Sequence, residues 1–174
     1  MPIKTFMSDN KSLIGLLILM ALVSLASPNF LSVDNLLNIL RQTSINAIIA
    51  MGMTFVILTA GIDLSVGSIL ALAGAICATM IAADMPLIFA LVTTVMIGAA
   101  LGASGGAVIS FFGVQPFIAT LVGMTIIRGL TLVYSDGRPI STGDLDVAEA
   151  FFQWGGGYIL GIPVPVIIAF VVFT

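Results

Sequence analysis

The sequence predicts an all-α, polytopic transmembrane helical bundle with five full spans and a truncated sixth. Three observations carry this expectation. Sixty per cent of the 174 residues are apolar, 7% are charged and mean hydropathy is +1.26, whereas a soluble domain carries about a quarter charged residues. Between residues 12 and 127 only four charges occur: Asp34, Arg41, Asp63 and Asp84. Apolar runs recur at the length that a bilayer core of about 30 Å demands, about 20 residues per helical crossing. Residues 1–174 read as one transmembrane domain, with an acidic extracytoplasmic loop at 135–163.

The first helix follows a polar start in which Lys4 and Lys11 flank Asp9. Its apolar run, Leu13 to Ala26, ends near Pro28. Ser24-Leu25-Ala26 resembles a small-x-small cleavage site, but further spans follow at once, which favours an uncleaved helix. Ser32 suits the N-cap of the second helix, and Asp34 falls in its first turn, where the helix dipole favours an anion. This helix runs from about Val33 to Thr59, roughly 40 Å at 1.5 Å per residue. That exceeds the hydrocarbon thickness, so its first turns, with Asn35, Asn38, Arg41 and Gln42, are expected at the interface. Deeper in, Thr43, Ala47, Ala50 and Thr54 share one narrow face, and Asn46 lies beside it as a candidate interhelical hydrogen bond. Small residues on one face let another helix approach closely.

The string Gly61-Ile62-Asp63-Leu64-Ser65-Val66-Gly67-Ser68 interrupts the apolar text. The third helix then runs to about Ala83, and Asp84-Met85-Pro86 makes a turn. The fourth helix, to about Phe111, carries Gly98, Gly102 and Gly106 at spacing four, a pattern of close helix packing in lipid. Gly113-Val114-Gln115-Pro116 breaks the chain again, and Pro116 suits the first turn of a fifth helix that ends near Tyr134. Residues 135–163 are polar and rich in Gly and Pro, with Asp136, Asp144, Asp146 and Glu149 against Arg138 alone. Within this loop Phe151, Phe152, Trp154 and Tyr158 form an amphipathic set suited to the membrane interface. Val164 to Thr174 is apolar again and reads as a sixth helix cut off midway.

Several function classes are excluded. The chain has no His and a single Cys, Cys77, so it holds no Cys/His metal cluster, no internal disulfide and no Ser-His or Cys-His dyad. Lys occurs only at Lys4 and Lys11, so there is no GxxxxGK[ST] phosphate loop. Five basic residues against eight acidic ones make nucleic acid an implausible partner, because phosphate binding needs clustered cations. No enzyme activity, cofactor or metal is expected.

Few residues remain as candidates for a translocation path or a structural break: Asn46, Thr54, Asp63, Ser65, Gln115 and Arg128. An intramembrane carboxylate is a functional hypothesis by default. Asp63 fits two roles, a bond to exposed amides at the start of the third helix or direct contact with substrate. Ser65 fits the same helix start, and broken helices frame the pathway in many transporters. Arg128 lies about six residues, roughly 9 Å, from the end of the fifth helix, close enough to snorkel to the interface or to face a polar cavity. Gln115 either lines a pathway or caps the fifth helix. Lys4 and Lys11 place the N-terminus in the cytoplasm by the positive-inside rule.

The segment NLLNILRQTSINAIIAMGMTFVILTAGIDLSVGSILALAG, residues 35–74, resembles the membrane-spanning permeases of bacterial ABC importers for ribose and related simple sugars. QPFIATLVGMTIIRGLTLVYSDGRPI, residues 115–140, and the opening KSLIGLLILMALVSLASPNFLSVDNLLN are similar to the same family, so the likeness covers nearly the whole chain. The resemblance implies an inner-membrane transport subunit within a lipid bilayer. It implies a separate cytoplasmic ATPase subunit, a periplasmic sugar-binding protein and a second permease subunit, in a homodimer. The GIDLSVGS signature maps to Gly61–Ser68, and the FIATL…RG signature to Phe117–Gly129. The family's permeases continue for roughly as many residues again, so the chain is expected to be the N-terminal half of such a permease. A non-transporting membrane fragment or assembly partner, without the ATPase-coupling half, is the alternative.

Overall fold

The computed structural model describes residues 10–143 and 145–174. Lys4, Asp9 and Asp144, which enter the charge arguments above, lie outside them. The described residues form helices α1 (Lys11–Ala26), α2 (Val33–Leu58), α3 (Val66–Ala82), α4 (Leu87–Phe112), α5 (Pro116–Tyr134), α6 (Asp146–Gly156) and α7 (Val164–Phe173). A two-stranded antiparallel hairpin, β1 (Tyr158–Ile159) and β2 (Ile162–Pro163), joins α6 to α7.

Local chemistry sets the helix boundaries. Ser32 Oγ accepts the Asn35 amide at 3.3 Å, with Asp34 in the first turn of α2. Pro116 occupies the first turn of α5, where its missing N–H costs nothing. At the C-terminal end of α2 the Ala60 amide donates to Ile57 O and the Gly61 amide to Val56 O, with Ala60 at φ 56°. That pairing is a Schellman motif, which satisfies the last carbonyls of the helix. The same pairing ends α3, with Asp84 at φ 55°, and α5, with Asp136 at φ 50°. Asp tolerates this left-handed conformation better than most side chains do.

By length and composition α2, α4 and α5 suffice to cross a membrane. The expectation of five full spans is not met on that measure, because α1 has 16 residues and α3 has 17. Lys11 and Pro28 bracket α1, while the break before Val66 and the Asp84-Met85-Pro86 turn bracket α3. The segment 135–163, expected to be a loop, contains a helix, α6, and the hairpin. Gly and Pro punctuation hid the helical spacing of Leu145, Ala148 and Phe151, which face the core together.

α3 is the central helix, packed on α4 and α5, while α7 lies along α2. α6 crosses the end of the bundle and touches α3, α4 and α7. The core sits under it: Cys77, Met80 and Ile81 of α3 meet Ala90 of α4 and Ala148 of α6. Ile81 is wholly buried. α1 has no buried residue. The large apolar side chains of α2, α4 and α5 are mostly exposed, as expected of helices whose solvent is hydrocarbon.

Candidate functional site

The end of the bundle opposite α6 is built from the break between α2 and α3. Beyond the Schellman turn of α2, Ile62, Asp63 and Leu64 have no regular structure, and Ser65 occupies the N-cap position of α3. Asp63 Oδ1 accepts the Ser65 amide at 2.7 Å and the Ser65 hydroxyl at 2.6 Å. This is an Asx-turn, in which a carboxylate holds the backbone two residues on. The Ser65 side chain makes no cap bond to α3. Ser68 Oγ donates to Ser65 O at 2.8 Å.

α5 closes one side of this site. Thr120 Oγ1 lies 3.1 Å from Ile62 O, across the gap to the break, and 2.9 Å from Pro116 O in its own helix. A β-carbon on Gly123 would stand 4.0 Å from Ser65 Cβ, so α5 lies close to the start of α3. Ser65, Ser68 and Thr120 are buried. No buried side-chain polar atom among the described residues lacks a hydrogen-bond partner. That is the condition for burying polar groups without a large penalty.

Between these parts lies a cavity of about 320 Å³ lined by Asp63, Ser65, Thr120, Gly102, Gly106 and Ser110, among others. Its size falls within the range of small-ligand sites, about 300–1,000 Å³. The glycines of α4 differ in their surroundings. A β-carbon on Gly98 would meet Ile69 Cγ2 at 3.9 Å, whereas Gly102 and Gly106 have nothing within 4 Å. A second cavity of about 320 Å³ lies between α3 and α5, with Gly67, Ser68, Met124, Thr131 and Arg128 in its wall.

The six candidates do not converge on one point. Asp63 and Ser65 share the break cavity with Gly102 and Gly106. Arg128 is exposed and belongs to the second cavity. Gln115 holds the N-cap position of α5 without a side-chain cap bond. Asn46 and Thr54 are exposed on α2, and the Thr54 hydroxyl bonds Ala50 O in its own helix. Two tertiary roles are not legible in the sequence. Thr120 ties α5 to the break, and its only sequence signal was its place in the Phe117–Gly129 signature. Arg41, expected to meet water, donates to Asn38 Oδ1 and, at 3.4 Å, to Gly156 O at the end of α6.

Residues 35–174 match the family described as the branched-chain amino acid transport system permease component. The chain belongs to this permease family. It is 56% identical over 169 residues to the ribose import permease RbsC of Haemophilus influenzae, covering 97% of this chain and 52% of that protein. It is 50% identical over 170 residues to RbsC of Escherichia coli K12, covering 98% of this chain and 53% of that protein. To the D-allose transport system permease AlsC of the same strain it is 41% identical over 159 residues, 90% of this chain and 48% of that protein. The chain thus spans about half the length of the curated relatives it matches. No solved structure matches it.

Proposed function

We propose that the chain is part of the membrane-spanning permease subunit of an ABC importer for ribose or a related monosaccharide. The carrying observation is the 56% identity over 169 residues to a ribose import permease. In this reading it sits in the bacterial inner membrane with its N-terminus in the cytoplasm. It works with a cytoplasmic ATPase, a periplasmic sugar-binding protein and a second permease subunit. The matched residues correspond to the N-terminal half of such a permease.

We read α1–α5 as five crossings, a reading supported by the lengths of α2, α3 and α5 between the two ends of the bundle. Arg41 marks the level of α6, and from there Gln42–Leu58 rises about 26 Å to the break. The 17 residues of α3 and 19 of α5 return about 26 Å and 28 Å at 1.5 Å each. Each distance is close to the hydrocarbon thickness of about 30 Å. The break then lies at the cytoplasmic face and α6 at the outer face. Asp63 and Ser65 hold the break in shape, and the cavity they share with Gly102, Gly106 and Thr120 is the proposed stretch of the translocation path.

The test is a chimera. Residues 1–174 replace the matching residues of E. coli RbsC in a strain lacking that permease, with the native ATPase and binding protein present. Uptake of labelled ribose is the expected result. An inserted, normally abundant chimera that carries no ribose would refute the substrate assignment.

A further inference from the structure

The hairpin between α6 and α7 presents its apolar side chains outward. Ile159 pairs with Ile162 and Tyr158 with Pro163, leaving Leu160-Gly161 as a two-residue turn with both φ positive, 53° and 79°. Such a type I′ turn favours Asn, Asp or Gly at its first position. Here a leucine occupies it and is 99% exposed. The left-handed backbone costs the same in any solvent, but a leucine bare to water gains nothing from burial. Tyr158, Ile159 and Ile162 beside it are exposed, as is Trp154 at the end of α6.

The position of the hairpin identifies what covers it. The Val164 amide donates to Gly157 O at 3.0 Å, fixing the base of the hairpin to the first residue of α7. Val164 and Pro165 of that helix are buried, and its exposed apolar residues are Ile168, Phe170, Val171, Val172 and Phe173. The hairpin thus leads in sequence straight into an apolar helix whose first turn is buried and whose later turns are mostly exposed. Arg41, bonded to Gly156 O, sets a guanidinium at the same level. A leucine-tipped hairpin with exposed Tyr and Trp, and an Arg held at the end of the helix before it, suits the boundary between acyl chains and headgroups.

We infer that the Tyr158–Pro163 hairpin is a wedge inserted in the bilayer interface, with Leu160 at its tip. The inference rests on the membrane-spanning reading above. By inserting there, the hairpin sets the depth at which α7 enters the membrane and carries the end of α6 with it.

Trp154 is the single tryptophan and reports directly. The full chain is reconstituted in phosphatidylcholine vesicles, and its fluorescence is quenched either by lipid brominated near the carboxyl end of the acyl chains or by aqueous iodide. The expected result is strong quenching by the brominated lipid and weak quenching by iodide. Leu160→Asn, which suits the turn in water, should reverse that order, and Leu160→Met should keep it. If Trp154 in an integrated chain answers to iodide alone, or to neither quencher because protein covers it, the inference is overturned. An unchanged pattern in Leu160→Asn overturns the role of the tip. A chain that does not float with the vesicles overturns the membrane-spanning reading and the inference together.

Discussion

Replacing Asp63 tests whether the helix break is held by its carboxylate. Asp63 accepts two short bonds, from the amide and the hydroxyl of Ser65, and Ser65 is only 8% exposed. A hydrogen bond to a charged group contributes about 1.5–3 kcal/mol, and an orphaned buried donor costs about 1–3 kcal/mol. Asp63 itself is half-buried, which favours the low end of these ranges. Asp63→Leu removes both bonds and strands the Ser65 amide, for a predicted loss of about 3 kcal/mol. Asp63→Asn keeps an acceptor oxygen and loses only the charge assistance, about 1 kcal/mol. For a chain of this size 1 kcal/mol moves the melting midpoint by about 2–4 °C. The expected shifts are therefore about 6–12 °C for Leu and about 2–4 °C for Asn. Cys77 supplies the assay, being the single thiol, 4% exposed and on the same helix as the break's last residue. Its reaction with a thiol-activated fluorophore during heating marks unfolding. A Leu variant that melts within about 2 °C of the parent would refute the role assigned to the bonds. An Asn variant as unstable as Leu would shift that role to the charge itself.

Arg41→Ala removes the cation from the C-terminal carbonyl of α6 and should raise amide hydrogen exchange across 146–157, with Arg41→Lys intermediate. Equal exchange in all three proteins would contradict the link. Ile81→Ala empties a fully buried site and should cost about 2–5 kcal/mol by the same thiol assay; a cost below about 1 kcal/mol would mean the α3–α4–α6 core is not the stabilising one. Gly106→Leu meets open space at its β-carbon, so the protein should stay folded while ribose uptake by the chimera falls. Full uptake at normal abundance would remove this cavity from the path.

The sequence makes the membrane helices readable because hydrocarbon imposes one requirement on every crossing, and start and stop signals punctuate the runs. Ser32, Pro116 and the Asp84-Met85-Pro86 turn mark boundaries that agree with the structure within a residue or two. α6 was not readable for the opposite reason. Its core-facing apolar residues, Leu145, Val147, Ala148 and Phe151, are set among glycines and acids, and it is helical because the ends of α3 and α4 cover them. The aromatic set divides: Phe151 packs on the core while Phe152, Trp154 and Tyr158 are exposed. At the break, Asp63 stands out because a charge is rare in apolar text, and Ser65 because it lies beside that charge at a helix start. Thr120 does not, because its significance depends on the Ile62 carbonyl, far away in the chain and close in space.

The glycine stripe shows why spacing alone does not separate packing from pathway. Gly98, Gly102 and Gly106 share one spacing, and in lipid that spacing implies close approach by a neighbouring helix. Close approach needs a helix at that level. Gly98 has one, since Ile69 of α3 lies beside it. Four residues along α4, about 6 Å further, Gly102 reaches the level where α3 has run back to its N-cap, Ser65. Beyond that point the neighbouring chain is the break, held by the Asp63 carboxylate and tied to α5 through Thr120. The same residue type thus packs against a helix at one position and walls a cavity at the next two. What converts one into the other is the place where α3 begins, which the Asp63–Ser65 turn determines. On this reasoning, a change at Asp63 alters the shape of the cavity as well as the stability of the fold.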